Sequence, residues 1–168
     1  MKIASWNVNS LKVRLPQVLD WINLNQPDVL CLQETKQNND NFPHDVFEKR
    51  GLFSYHNGQN TYNGVAIISN KELIDVQFDI PNFYDEQKRL ISGIYPNDED
   101  PKFRVISAYI PNGQSLNSDK FEYKMNWLKS FINFLQTKID GIENIITGDF
   151  NIAPSTLDCY DTKSWDGK

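Results

Sequence analysis

The residue types best suited to chemistry stand together in one short segment near the end of the chain. An apolar run leads to Gly148, then Asp149 and, two residues later, Asn151. Alternate side chains of a strand share a face, so Asp149 and Asn151 would point one way with Phe150 packed on the other. A carboxylate beside an amide can hold a water and an anionic oxygen at once. The same pattern, closed by Pro154, is equally typical of a turn that ends a strand.

Other polar residues follow strands that the apolar runs predict. Asn7 ends a short strand near the start of the chain, and Glu34 follows the buried run Asp28–Leu32. Tyr109 and Asn112 end a third run. In open α/β sheets ligands bind beyond the carboxyl ends of the strands, which makes all four candidate site residues. Each also has a plainer interpretation: a solvated glutamate, turn-forming asparagines, and a core tyrosine with its hydroxyl in water.

Hydrophobic periodicity predicts the elements that carry these residues. Apolar positions at helical spacing predict one helix over Leu11–Ile22, ended by Gln26-Pro27, and another over about Ser118–Thr137. Further strands are predicted at 64–69, 90–95, 103–109 and 144–146, and loops at 36–40, 96–101 and 112–119. The initial strand–helix–strand order indicates an α/β fold, and the consecutive strands indicate hairpins and therefore mixed sheets.

The composition fits a single folded domain of 168 residues with 39% hydrophobic residues, enough for a core. No apolar run has the length of a membrane span, and the polar start predicts no signal peptide. The two cysteines have no metal-binding spacing, and Cys31 is predicted to be a buried thiol in a reducing, cytoplasmic protein. A net charge of −5 is unusual for a nucleic-acid binder, although carboxylates gathered around a divalent metal would contribute to it.

Five segments, taken in order, resemble the exonuclease III family of abasic-site endonucleases, within the endonuclease/exonuclease/phosphatase superfamily. They are S-W-N-V-N-S-L, D-V-L-C-L-Q-E-T-K, Y-N-G-V-A-I, Y-I-P-N-G and T-G-D-F-N-I-A-P. The resemblance implies a DNase I-like four-layer α/β sandwich, with two mixed sheets face to face and helices outside. It also implies a Mg²⁺-dependent DNA repair nuclease that cuts 5′ to abasic sites and removes 3′ nucleotides or blocking groups from double-stranded DNA.

The resemblance further implies roles for residues at the matching positions. Glu34 would be the main ligand of Mg²⁺ (or Mn²⁺), with Asn7 beside it in the metal shell. Asp149 would orient or deprotonate the attacking water, Asn151 would grip the scissile phosphate, and both would stand close to the metal. Tyr109 would be a hydroxyl donor or a phenolate near the phosphate.

Three more residues are implied to contact substrate. Asn112 would bind a phosphate, and Arg89 and Lys124 would face DNA. His44 and His56 lie in loop-like segments without a family match, and we predict ordinary surface histidines.

The sequence departs from the family pattern at Lys168, where family members continue into a second half with a further Asp and a late S-D-H motif. We therefore expect a single domain over residues 1–168 that lacks the C-terminal part of the sandwich. An uncovered strand edge or apolar face, reduced activity, and pairing by self-association or with a complementing C-terminal fragment would follow.

Two other functions remain open from the sequence. One is a non-catalytic relic that binds DNA weakly, and the other is a superfamily phosphatase acting on another phosphoester, such as a phosphoinositide, a sphingolipid or RNA. The number of metal ions, one or two, also remains open.

Overall fold

Two four-stranded sheets form the centre of the computed structural model, which describes residues 1–96, 103–137 and 142–165. The first sheet has the order β1-β2-β4-β3, with β1 (Ile3–Asn7), β2 (Val29–Gln33), β3 (Phe53–Asn57) and β4 (Val65–Ser69). The second has the order β5-β6-β7-β8, with β5 (Ile74–Phe78), β6 (Leu90–Tyr95), β7 (Phe103–Tyr109) and β8 (Glu143–Asp149). Each sheet contains one parallel pair, β1 with β2 and β7 with β8, so both sheets are mixed as predicted.

Of the four helices in the described part of the chain, the first three lie on the outer faces of the sheets, and the last is only four residues long. They are α1 (Leu11–Asn25), α2 (His44–Glu48), α3 (Asp119–Gln136) and the short α4 (Thr162–Trp165), with single 3₁₀ turns at Asn39–Asn41 and Thr156–Asp158. Gln26 takes a left-handed conformation with φ 46° and ends α1 just before Pro27. Ser118 caps α3 by accepting a hydrogen bond from the amide of Phe121. No helix among the described residues is both long and apolar enough to cross a membrane.

Three apolar layers hold these elements together. Leu30 and Leu32 on one face of β2 pack against α1 and α2, while Val29 and Cys31 on the other face pack between the sheets. The third layer joins the second sheet to α3 through Trp127 and other aromatic residues. The order is helices, sheet, sheet, helix. The four-layer sandwich is therefore confirmed, and so is the buried Cys31 thiol.

Two strands and two helices were absent from the sequence-based prediction, namely β3, β5, α2 and the single-turn α4. β3 and α2 are short and rich in polar residues, and β5 is a half-exposed edge strand with a register shift between Ile74 and Gln77. Their hydrophobic patterns are correspondingly weak. Of the loop predicted over 96–101, only Pro96 belongs to the described residues.

The prediction that His56 is a surface histidine is wrong. Its side chain lies on β3 with only 5% of its surface exposed, and the ring of Phe42 stacks on the imidazole with the centroids 4.1 Å apart. Phe42 comes from a separate loop, which the local polar sequence around His56 could not reveal. His44 is exposed as predicted and contacts the hydroxyl of Ser54.

Two edge strands, β1 of the first sheet and β8 of the second, lie next to each other. Among the described residues, neither is paired with a further strand on its outer edge. Ile146 on β8 is 37% exposed, which is unusual for an isoleucine in a strand that borders the core. This open side of the sandwich, defined by β1 and β8, contains the candidate site.

Candidate active site

Three predicted site residues meet where the two sheets adjoin. Asn7 ends β1, Glu34 directly follows β2, and Asp149 ends β8. The side-chain amide of Asn7 donates one hydrogen bond to Glu34 Oε1 and another to Asp149 Oδ2, each 2.8 Å long. Because β1 and β2 are parallel neighbours, their carboxyl ends share one edge, and the packing of the sheets brings β8 to the same place. The strand-end prediction for these residues is confirmed.

Glu34 is held as a carboxylate by its neighbours. Burial by itself would raise the pKa of Glu34, but the hydrogen bond from Asn7 and the contacts of Lys36 and Tyr109 outweigh it and lower the pKa. The ammonium of Lys36 lies 3.0 Å from Glu34 Oε2 and also donates to Asn9 Oδ1 at 2.6 Å. The site therefore presents a fixed negative charge at neutral pH. Sequence reasoning did not single out Lys36, although it completes the Q-E-T-K motif.

Tyr109 stands at the end of β7 beside Glu34. Burial raises its pKa to about 12, and the neighbouring Glu34 carboxylate adds to the rise while Arg89 opposes it. The phenol is therefore protonated at neutral pH, which favours the hydroxyl donor over the phenolate. The guanidinium of Arg89 lies 4.7 Å from the centroid of the Tyr109 ring and donates to the Tyr109 carbonyl at 3.1 Å.

Arg89 is largely buried behind Tyr109. Only 9% of Arg89 is exposed, and its guanidinium makes two hydrogen bonds to Gln87 Oε1, of 2.9 and 2.7 Å. The described contacts of the Arg89 guanidinium thus join it to Gln87 and to the tyrosines Tyr109 and Tyr123, and its contact with DNA stays a prediction.

The segment after β8 differs from the extended strand that was predicted. β8 ends at Asp149, and Asn151 takes a left-handed conformation with φ 49°. The backbone amide of Asn151 accordingly donates to Asp149 Oδ1 at 3.2 Å, so the segment forms the turn that was the alternative prediction. The side-chain amide of Asn151 donates to the Ile110 carbonyl at 2.9 Å. The predicted packing of Phe150 is wrong: the side chain is 42% exposed because strand alternation stops before it.

A groove of about 820 Å³ opens beside the three-residue cluster. Asn7 and Asp149 line one end, and Asn112, Lys124 and Asn151 line its wall. The Lys124 ammonium donates to the Asn151 carbonyl at 2.6 Å, and burial lowers the pKa of Lys124 against the opposing effect of Asp149. Exposed apolar side chains complete the lining, namely Leu116, Phe150, Ile152 and Tyr160. The groove therefore brings together five of the predicted site residues, whereas Glu34, Tyr109 and Arg89 are not among its lining residues.

The oxygen atoms of the cluster suit a hard divalent cation. Across residues 1–96, 103–137 and 142–165, no group of three His, Cys, Asp or Glu side chains is placed to hold a metal. The carboxylates of Glu34 and Asp149 are bridged by one amide, a donor set that Mg²⁺ accepts when water fills its other positions. Asn7 turns its NH₂ group toward both carboxylates, and its Oδ1 accepts from the Asn9 amide at 3.0 Å. In this arrangement Asn7 orients the two carboxylates.

Comparison with known proteins agrees with this geometry. The exodeoxyribonuclease III of Haemophilus influenzae is 35% identical over 164 residues, which cover 94% of this chain and 60% of the relative. The structure of the 3′ phosphatase NExo from Neisseria, bound to a product DNA hairpin, has a TM-score of 0.90 at 42% identity. The AP endonuclease from Archaeoglobus fulgidus has a TM-score of 0.87 at 35% identity. Each of these two matches covers 98% of this chain and 63% of the solved chain.

The described fold is thus that of DNase I-like nucleases, and the chain spans about three fifths of the length of these relatives. The family model for the Endonuclease/Exonuclease/phosphatase family matches residues 4–167. With the match extending over nearly the whole sequence, this chain belongs to the endonuclease/exonuclease/phosphatase family.

Proposed function

We propose that the cluster of Asn7, Glu34 and Asp149 serves the Mg²⁺-dependent hydrolysis of DNA phosphodiesters in an exonuclease III-type repair nuclease. The substrates are double-stranded DNA with abasic sites, cut on the 5′ side, and DNA with 3′ ends to be trimmed or unblocked. The observation that carries the proposal is the single amide that joins two carboxylates at the junction of the sheets. The names of the relatives, an exodeoxyribonuclease III and an AP endonuclease, support the same chemistry.

Each residue of the site has a part in this mechanism. Glu34 provides the negative charge that attracts the cation, and Asp149 takes the proton of the attacking water. When bound, Mg²⁺ polarises the phosphoryl group and stabilises the leaving 3′ oxygen. Tyr109, protonated at neutral pH, donates its hydroxyl to a phosphoryl oxygen.

The wall of the groove supplies the remaining contacts with the phosphate. Asn112 and Asn151 offer amides, and Lys124 offers a positive charge next to Asn151. Donors fixed in this way stabilise charge that develops on the phosphoryl oxygens during reaction. Selectivity for abasic sites follows from the low cost of displacing a nucleotide that has no base to unpair or unstack.

The decisive experiment is nicking of a duplex that carries one abasic analogue, with Mg²⁺ and with EDTA. We expect metal-dependent nicking that Glu34→Ala and Asp149→Asn each abolish. Asp45→Asn is the matched control, because it makes the same change in an exposed carboxylate on α2 whose ion pair is with Lys49. Nicking that survives EDTA or either site variant would refute the proposal.

A second candidate is a non-catalytic fragment that binds DNA weakly, and the exposed apolar lining of the groove favours it. Phe150 and Ile152 are 42% and 51% exposed, as expected of a surface that lacks its cover. Salt-dependent binding of the abasic duplex without nicking would support this candidate. Faster turnover of an inositol phosphate than of the abasic duplex would instead favour a superfamily phosphatase.

We also propose that the open side of the sandwich receives a complementing C-terminal fragment, which would complete the domain that residues 1–168 form. The edge of β8, which is unpaired among the described residues, and the exposed Ile146 support this. Adding the unmatched C-terminal part of the Haemophilus influenzae relative should raise nicking and produce a one-to-one complex in sedimentation. Sedimentation of the chain alone as a dimer would favour self-association.

A cytoplasmic location is proposed from the two free cysteines, Cys31 and Cys159. Cell fractionation with an antibody to the chain tests it, and recovery in an oxidising compartment would contradict it.

A further inference from the structure

A buried polar contact lies directly behind the candidate metal ligand. His56 Nε2 is 2.8 Å from the hydroxyl Oγ1 of Thr35, and Thr35 is completely buried. The face of the imidazole is covered by Phe42, and among the described residues His56 Nδ1 has no hydrogen-bond partner. Leaving a polar group this deeply buried without a hydrogen-bond partner costs free energy. The partner of His56 is Thr35, which is the residue next to Glu34.

Thr35 separates two residues with an unusual backbone conformation. Glu34 and Lys36 both have φ 54°, in the left-handed region that residues with a side chain rarely adopt. Such conformations persist only where the surrounding structure imposes them. The backbone of Thr35 is fixed on both sides, because its amide donates to the Gly64 carbonyl at 3.1 Å and its carbonyl accepts from the Leu11 amide at 3.0 Å. The contact with His56 fixes the side chain as well.

Two glycines lie so close to the contact that neither position has room for a side chain. A Cβ atom added to Gly64 would lie 2.2 Å from Thr35 Oγ1. One added to Gly58 would lie 2.1 Å from His56 Cε1 and 2.3 Å from the Gln37 carbonyl oxygen. The hydroxyl and the imidazole therefore share a space shaped by backbone, in which the orientation of Thr35 is determined.

We propose that His56 is a positioning residue, which acts through Thr35 to hold the Glu34 carboxylate in reach of Asn7 and Asp149. The inference rests on the proposed function, in which Glu34 binds the divalent cation. An apolar residue at position 56 would fill the same space beside Phe42, but it would leave the Thr35 hydroxyl buried without a partner. Glu34 would then sample other conformations, because its own left-handed backbone is unfavourable.

Two pairs of variants separate positioning from simple packing. Thr35→Val keeps the shape of the side chain and removes the hydroxyl, whereas Thr35→Ser keeps the hydroxyl. His56→Leu removes the polar contact, whereas His56→Gln returns an amide near the position of Nε2. Phe131→Leu is the control for lost packing, because Phe131 is a buried residue of α3, which packs on the far side of the second sheet.

Two measurements are made on each variant: hydrogen exchange of the Lys36 amide without metal, and the Kd for Mn²⁺ from the electron paramagnetic resonance of free Mn²⁺. We expect Thr35→Val and His56→Leu to weaken Mn²⁺ binding about tenfold and to speed Lys36 exchange, as outer contacts of metal ligands do. Thr35→Ser and His56→Gln should stay within about threefold of the original protein, and Phe131→Leu should leave Mn²⁺ affinity unchanged.

The outcomes distinguish this inference from the proposed function. Unchanged Mn²⁺ affinity in Thr35→Val and His56→Leu would overturn the inference, even if Lys36 exchange became faster, because the contact would then hold the loop without holding Glu34. An equal loss in Phe131→Leu would overturn it too. Failure of the proposed function has another result: the original protein and Glu34→Ala would bind Mn²⁺ equally weakly.

Discussion

The stability of the fold should depend on pH through one buried imidazole. Burial lowers the pKa of His56 from 6.5 to about 3, so the folded protein keeps this side chain neutral where the unfolded chain takes up a proton. Stability is therefore unaffected above the unfolded pKa and falls as the pH drops through 6.5 toward 3. Between about pH 7.5 and 5 the linkage relation gives a loss of about 2 kcal/mol from His56.

The assay is urea unfolding, followed by tryptophan fluorescence, at several pH values between about 7.5 and 5. The lower limit stays above 4.5, the ordinary pKa of a glutamate, because Glu34 and Asp28 have lowered pKa values and lose their stabilisation only in more acid solution. His56→Gln removes the titrating group and should remove most of the loss, whereas the exposed His44→Gln should retain it. A pH dependence in His56→Gln equal to that of the original protein would refute the reasoning.

Three further predictions concern single residues. Gly64→Ala should lower the free energy of unfolding in urea by more than about 2 kcal/mol, since φ is 89° and the new Cβ would meet a buried hydroxyl. Gly51→Ala, with φ 71° and open space around the new Cβ, should lower it by only about 1 kcal/mol. Tyr109→Phe should slow nicking about tenfold to a hundredfold, equally at pH 7 and 9, because a phenol with a pKa of about 12 is protonated at both; a rate defect that changes across this range would contradict the assignment. A thiol reagent should label Cys159 but not Cys31 in the folded protein, because burial raises the pKa of Cys31 to about 12, and both in urea; two labelled thiols without urea would be the contrary result.

The strands that the sequence predicted well are those whose burial is visible locally. β2 is buried on both faces and begins with four apolar residues in a row, and β6 is buried throughout, with its apolar sequence interrupted only by Ser92 and Gly93. The rule that ligands bind at the carboxyl ends of strands singled out Asn7 and Glu34, and the resemblance to the exonuclease III family implied that they share one site with Asp149. Burial patterns and motifs of this kind lie within short segments, so a single sequence is enough to reveal them.

What the sequence did not reveal depends on segments that meet only in three dimensions. His56 is buried because Phe42 covers it and Gly58 allows close approach, and no nearby residue indicates either contact. β5 is stabilised by pairing with β6 rather than by its own half-exposed side chains. The predicted packing of Phe150 was wrong because the alternation of side chains along β8 was extended past Asp149, where the backbone turns.

The hydrogen bond between Asn7 and Asp149 joins residues 142 positions apart, which has a consequence for folding. Closing so long a loop costs chain entropy, and contacts between residues close in sequence do not offset that cost. Contacts between distant residues therefore form late in folding. At ribosomal rates of about 5–20 residues per second, Asp149 is synthesised on the order of ten seconds after Asn7. Through that interval β1 and β2 can pair, but the two carboxylates are not yet joined. The cluster that we propose as the cation site therefore forms as one of the final events of maturation, and under the proposed function the onset of nicking would report that the two sheets have docked.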